Sequence, residues 1–206
     1  LVDYVNELDA DLVAISGDLT QRARDEQFRE AHDFIARLTS PVLSVPGNHD
    51  VTLHRPFRRF FMPWRSYKRW ISKDLTPTFE NDDMVVVGIN SVDRFSWQTG
   101  RLSSGRIKNA CTLMGDAPDT KARVLVVHHP LEHPAKTKKK PIPGAEEALE
   151  KLLECGADLV LSGHLHMWHA GNFRIRSGPS TAVQLHAGTS LSSRVRGEPN
   201  DFNVID

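Results

Sequence analysis

Residues 158–166 read Asp158-Leu159-Val160-Leu161-Ser162-Gly163-His164-Leu165-His166 (DLVLSGHLH). A short, continuous apolar run ends at a glycine, and two histidines follow with one residue between them. A run this short reads as a strand covered on both faces. In extended backbone, residues two apart point to the same side, so both imidazoles can face one point. The glycine lets the backbone come close to whatever lies there. Histidine is the commonest side-chain metal ligand near neutral pH. His-x-His alone is a weak signal, and its weight comes from three other stretches built the same way.

Leu12-Val13-Ala14-Ile15 runs into Ser16-Gly17-Asp18, and Val42-Leu43-Ser44-Val45 runs into Pro46-Gly47-Asn48-His49-Asp50. Val124-Leu125-Val126-Val127 ends at His128-His129-Pro130, and a further apolar run, Met84–Ile89, leads into Asn90-Ser91. Between these strands lie helical patterns. Leu1, Val5 and Leu8 share a face, and Phe28, Ala31, Phe34, Ile35 and Leu38 place an amphipathic helix over residues 21–39, stopped by Pro41. Residues 103–114 form another helix, and Ala145, Ala148, Leu149, Leu152 and Leu153 mark the next. After the opening motif, Phe173–Arg176 and Val183–His186 alternate apolar and polar residues, as half-exposed antiparallel strands do. Helices alternating with buried strands predict an α/β layered fold with a mixed sheet, in one domain spanning residues 1–206.

Composition narrows the function. Lys+Arg and Asp+Glu are both 26, so the formal net charge is zero, which disfavours a general polyanion-binding surface. No apolar run approaches the ~20 residues of a membrane span. Cys111 and Cys155 are the only cysteines and lie far apart, which reads as free thiols in a reducing, cytoplasmic compartment. Residues 55–70 interleave arginines with Phe57, Phe60, Phe61, Trp64, Tyr67 and Trp70, and Pro63 interrupts them. They read as an amphipathic packing element with its arginines on the wet face. A cap that grips phosphate or stacks a base is the alternative. Lys136 and Lys138–Lys140 read as a solvated loop. His32, His54, His133, His169 and His186 carry no motif and read as packed or solvated residues.

In open α/β sheets, sites lie outside the carboxyl ends of the strands. Strand crossovers can therefore gather Asp18, Asn48, His49, Asp50, His128, His129, His164 and His166 into one cluster. A carboxylate, an amide oxygen and imidazoles form an O/N ligand set without thiolate, suited to Mn, Fe, Zn or Co.

GDLT, GNHD, a strand ending HHP, and GHLH, in this order, resemble the calcineurin-like metallophosphoesterase superfamily. SGDLTQRA, VPGNHDV, VVHHPL, LSGHLHM and AGTSLSSRVRGEPNDFN are similar to its bacterial branch of class III cyclic-nucleotide phosphodiesterases. The resemblance implies a four-layer α/β/β/α sandwich with mixed sheets, here without the first strand. It also implies two metal ions (Mn, Fe or Zn). Asp18 would bridge both ions, Asn48, His128 and His164 would complete the second site, and His166 would bind the first. His49 would stand at the leaving-group oxygen with Asp50 orienting its ring, and His129 and Arg194 are candidate substrate contacts. The family begins with a strand ending in Asp-x-His, and none precedes Asp18. The first site is therefore incomplete here, and the chain reads as truncated at both ends.

The resemblance implies hydrolysis of a small phosphate ester, such as a cyclic nucleotide or a glycerophosphodiester, by metal-hydroxide attack. The expected partner is that small substrate, with no membrane, no nucleic acid, and homodimerisation left open. Two other classes stand beside this reading. One is an impaired scaffold of the same fold, motivated by the missing motif. The other is a nuclease of the superfamily, which the zero net charge disfavours.

Overall fold

A computed structural model describes residues 1–133, 137, 141–173, 182–192 and 199–206. The order of elements is α1 (Val2–Glu7), β1 (Val13–Ile15), α2 (Asp25–Ile35), β2 (Val42–Ser44), a 3-10 turn (Asn48–Asp50), α3 (Pro56–Phe61) and α4 (Arg65–Trp70). Then come β3 (Thr78–Glu80), β4 (Met84–Ile89), α5 (Ser104–Gly115), β5 (Ala122–Val127), α6 (Ala145–Glu154), β6 (Leu159–Ser162), β7 (His169–Asn172) and β8 (Val183–His186). Strands β1 and β2 form a parallel pair, and the other six form a mixed sheet in the order β3-β4-β5-β6-β8-β7.

The continuous apolar runs are apolar because both faces of the large sheet are covered. Leu43 and Val45 from the small sheet pack on Val86, Val124 and Val126 of the large one. The alternate residues, Val85, Val87, Ile89, Leu125, Val127 and Val160, face α5 and α6 through Ile107, Ala110, Met114, Ala148, Leu149 and Leu152. On the far side of the small sheet, α2 and α4 form the outer layer. There the buried rings of Phe28 and Tyr67 meet edge to face at 6.3 Å. The Tyr67 hydroxyl donates to the Ser44 carbonyl at 2.9 Å, which fixes α4 to the end of β2. These are the four layers expected.

Several expectations are corrected. Helix α2 begins at Asp25 rather than near residue 21, because the segment before it is held as a turn. The Thr20 hydroxyl accepts from the Ala23 amide at 3.1 Å, and Ala23 has φ +48°. Strand β1 is half-buried throughout rather than covered on both faces, since among the described residues only β2 pairs with it. Residues 55–70 do split around Pro63, into α3 and α4. Arg59 points inward, however: it is buried and donates to the Thr52 and Ser96 carbonyls. Strand β8 runs parallel to β6, so only its pairing with β7 is antiparallel. It buries the polar Gln184 and His186 and leaves Val183 and Leu185 half-buried, the reverse of the expected facing. The predicted strand at Phe173–Arg176 lies mostly outside the described residues, and β7 precedes it. Lys136, Lys138–Lys140, Arg194 and Arg196 also lie outside them.

The cysteines are not free thiols. Cys111 in α5 and Cys155 after α6 are joined by a disulfide across 44 residues. Spacing along the chain hid this, because α5 and α6 pack side by side on one face of the sheet. With both cysteines bonded, they do not indicate a reducing compartment. No described helix is long and apolar enough to cross a membrane.

A cross-link of this span restricts the unfolded chain and ties the two helices of one layer. Replacing both cysteines with serine is expected to lower stability by about 2–4 kcal/mol, read as a lower urea midpoint with the fold retained.

Candidate metal centre

The carboxyl ends of β1, β2, β5 and β6 meet at one edge of the sandwich. Two glycines make this possible. Gly17 has φ +92°, and a Cβ there would stand 2.6 Å from the Gly47 nitrogen and 2.9 Å from His128 Nδ1. A Cβ on Gly47 would lie 2.1 Å from the Asp18 nitrogen and 2.2 Å from its Oδ1. No side chain fits at either position, so the two strand ends close onto each other backbone to backbone. Asp18 is itself left-handed (φ +57°), as are His164 (φ +68°) and His166 (φ +56°). Such φ values are uncommon outside glycine and concentrate at functional sites.

The buried imidazole of His128 ties the two sheets together. Its Nδ1 is 2.7 Å from the Ser16 carbonyl oxygen, which can only accept, so the proton is on Nδ1. Its Nε2 then presents a lone pair. That nitrogen is 3.0 Å from Asn48 Oδ1 and 3.5 Å from Asp18 Oδ1. His164 Nδ1 is also 3.0 Å from Asn48 Oδ1. Two imidazole nitrogens, an amide oxygen and a carboxylate oxygen thus converge in a buried place. They repel one another unless a proton or a cation stands among them. Donors held at ~2.0–2.2 Å from one first-row ion, at right angles, lie about 3 Å apart. The donor set and its spacing fit a divalent cation.

One nitrogen from each of His128, His129 and His164 also lies within 4.8 Å of the others. His129 is nevertheless a poor ligand. Its Nε2 donates to the Gln98 carbonyl (3.1 Å), and its Nδ1 accepts from the Ser91 hydroxyl (2.8 Å). Both nitrogens are used by the protein and the ring is buried. This geometry also removes His129 from the substrate face on which it was expected. His166 sits half-buried in the same turn as His164, outside the group of three imidazoles. Arg194 lies outside the described residues.

The His49 amide donates to Asp18 Oδ1 at 2.9 Å, fixing the carboxylate. Its ring is oriented by the Gln21 carbonyl, 2.9 Å from Nδ1, and not by Asp50 as expected. Asp50 is buried and serves the backbone instead. It accepts from the amides of Gly47 (2.9 Å), Thr20 (2.9 Å) and Leu19 (3.3 Å) and from the Thr20 hydroxyl (3.0 Å). Burial, then the nearby Asp18 charge, push its carboxyl up to about 7 against those hydrogen bonds. A cation on Asp18 would cancel the second cause. Sequence reasoning missed Ser16, Gln21 and Thr20, whose roles pass through backbone carbonyls or a hydroxyl and leave no motif.

The calcineurin-like phosphoesterase family model matches residues 1–168, which include every residue of this cluster. The chain belongs to that family. Metal-dependent phosphoester hydrolysis is the activity of the family, and small phosphate esters are its substrates. A dimetal phosphatase from Danio rerio shares the fold at TM-score 0.64 and 15% identity, over 91% of this chain and 75% of that one. A phosphopantetheinyl hydrolase from Mycobacterium tuberculosis does so at 0.55 and 15%, over 86% and 79%. GAP50, described as the anchor in the inner membrane complex of Plasmodium, aligns at 0.60 and 12%, over 96% and 68%. No curated protein matches the sequence.

In this calcineurin-like phosphoesterase, Asp50 and His49 are expected to separate cleanly by stability. Asp50→Ala strands buried amides of Gly47 and Thr20 and should cost roughly 3 kcal/mol or more, at about 1–3 kcal/mol per unsatisfied group. His49→Ala loses one partly exposed hydrogen bond and should cost less than about 1 kcal/mol. Urea unfolding of the two variants near neutral pH measures the difference.

Proposed function

We propose that this chain is a phosphodiesterase acting on a small anionic diester, of the cyclic-nucleotide or glycerophosphodiester kind. The observation that carries the reading is the convergence of His128 Nε2, His164 Nδ1 and Asp18 Oδ1 around Asn48 Oδ1. These four residues would hold one divalent cation, Mn, Fe or Zn. Asp18 and His166 would contribute to a second. A cation held there supplies a Lewis acid that draws electrons from the phosphoryl oxygens and acidifies water.

The protein's own groups account for the remaining work. The Ser16 carbonyl holds His128 in the tautomer whose Nε2 lone pair points inward. The His49 amide keeps Asp18 Oδ1 in place from the other side. His49 Nδ1 is committed to the Gln21 carbonyl, so a proton on this ring's other nitrogen, Nε2, is the one that can be delivered. In its doubly protonated form His49 can give that proton to a departing alkoxide, which is general acid catalysis by a ring of fixed orientation. A diester leaving group needs that proton.

The likeness to GAP50 keeps a non-catalytic scaffold as the second reading. A scaffold has no use for converging lone pairs beside a histidine held by one nitrogen, which favours catalysis.

With Mn²⁺ supplied, the full-length protein should hydrolyse bis(p-nitrophenyl) phosphate. His49→Ala should keep its bound metal and lose roughly 10²–10⁴-fold in kcat. Asn48→Ala should lose both metal and turnover. Undiminished hydrolysis in both variants would overturn the assignment, and metal binding without any hydrolysis would favour the scaffold.

A further inference from the structure

Helix α3 is amphipathic the wrong way round for a soluble surface. A surface helix ordinarily turns its apolar stripe to the core and its charges to water. Here Phe57, Phe60 and Phe61, at i, i+3 and i+4, share the outward side, and Phe57 and Phe61 are 66% and 71% exposed. The side chain that faces inward is Arg59, 4% exposed and donating to the Thr52 and Ser96 carbonyls. Met62, at the end of the helix, is exposed as well. The loop after β4 continues the surface with Phe95 and Trp97, 69% and 66% exposed. Phe57 and Phe61 lie 4.8 Å apart, centroid to centroid, and Phe60 stacks on Phe95 at 5.8 Å. A contiguous apolar patch of this kind marks an interaction surface.

The rim of the patch is basic. Arg94 lies over the Phe95 ring at 4.9 Å and donates from Nη1 to the Phe60 carbonyl at 3.0 Å. Arg55 and Arg58 flank the phenylalanines along α3. Exposed Arg65, Lys68 and Arg69 follow in α4. Residues 51–73 hold five arginines, two lysines and no Asp or Glu, although the whole chain is neutral. Asp93, the one acid of the neighbouring loop, acts on the inward-facing Arg59 and on Arg106. Hydrocarbon at the centre with arginines around it matches a surface that is apolar inside and anionic outside, as an acidic lipid leaflet is. The rings are already paired with one another, so they form a continuous hydrocarbon face rather than separate platforms for stacked bases.

We propose that this face docks the protein peripherally on an anionic lipid surface. The phenylalanines and Met62 enter the acyl boundary, and Trp97 sits at headgroup level. Arg55, Arg58 and Arg94 reach the lipid phosphates while their stems stay with the aromatic rings. Trp97 stands between two anchored carbonyls: Ser96 accepts from Arg59, and Gln98 accepts from His129 Nε2 at 3.1 Å. The docking face is thus held firmly beside the histidines of the metal centre. The proposal does not rest on the phosphodiesterase reading.

The test is co-sedimentation of the protein with vesicles of phosphatidylcholine containing one third phosphatidylglycerol, and with pure phosphatidylcholine. Binding is expected to the acidic vesicles, to weaken as salt is raised, and to persist in EDTA. Phe57→Ser with Phe61→Ser should weaken it roughly tenfold or more. Arg55→Gln with Arg58→Gln should weaken it about fivefold per arginine. These side chains are on the surface, so both variants should keep the parent circular dichroism and Mn²⁺-dependent hydrolysis. No vesicle binding, binding that the phenylalanine variant retains, or binding lost in EDTA would overturn the proposal. So would a dimer, or a complex with a single-stranded oligonucleotide, that the phenylalanine variant breaks while the parent ignores vesicles. Vesicle binding by a protein that hydrolyses no diester would overturn the phosphodiesterase reading and leave this one standing.

Discussion

The hydrogen bond from His128 Nδ1 to the Ser16 carbonyl is the contact on which the site depends. It joins the last turn of a strand in one sheet to the strand end of the other, across 112 residues of chain. By taking the Nδ1 proton it decides that Nε2 faces inward as a lone pair. It also needs the two sheet edges to close to within a hydrogen bond of each other. Gly17 and Gly47 allow that closure because no Cβ could be accommodated at either. Packing, tautomer and ligand chemistry are thus set by one contact. A mutation that spread the sheets would disturb the donor set without touching a ligand.

Much of this was legible in the sequence for a physical reason. Runs such as Val124–Val127 are apolar at every position because one set of alternate residues meets the helices and the other meets the small sheet. The glycine-bounded ends of these runs mark where the backbone must come close. Four residues of the cluster, Asp18, Asn48, His128 and His164, follow such runs directly, so strand topology alone brings them together. What the sequence concealed depends on contacts distant in the chain. The Cys111–Cys155 bond requires knowing that α5 and α6 are neighbours. The direction of β8 is set by its pairing with β6, and alternation of side chains is the same for parallel and antiparallel strands. Asp50 follows His49 in the motif, which suggests an orienting carboxylate. Its oxygens are instead occupied by the Gly47, Thr20 and Leu19 amides, a role no side-chain pattern announces.

The division of labour between His49 and Asp50 clarifies how the loop after β2 works. Asp50 holds the turn that follows β1 against the turn that follows β2, at the expense of a buried carboxyl pushed up to about 7. That position is tolerable because backbone amides surround it and because a cation on Asp18 would remove one of the two causes of the rise. The carboxylate is therefore part of the frame. His49 is freed from framing, with one nitrogen anchored on a carbonyl and the other available. Placing the rigid and the reactive functions on adjacent residues lets the loop be fixed while the ring stays accessible.

The large sheet extends the same logic to both of its faces. A strand has period two, so successive residues at its end address opposite sides. At the end of β5, His128 reaches toward the small sheet while the next residue, His129, is committed to Ser91 and Gln98. At the end of β8, Gln184 and His186 take the face that Val160 occupies on β6, and two half-buried apolar residues take the other. A buried Gln-x-His pair on a strand between β6 and β7 contributes nothing to apolar packing, and an alternating apolar pair would fill that face better. Its amide fixes one nitrogen of the imidazole and leaves the second bare beside another histidine. Such an arrangement is costly as core, because it leaves a buried ring nitrogen without a hydrogen-bond partner where an apolar side chain would leave none.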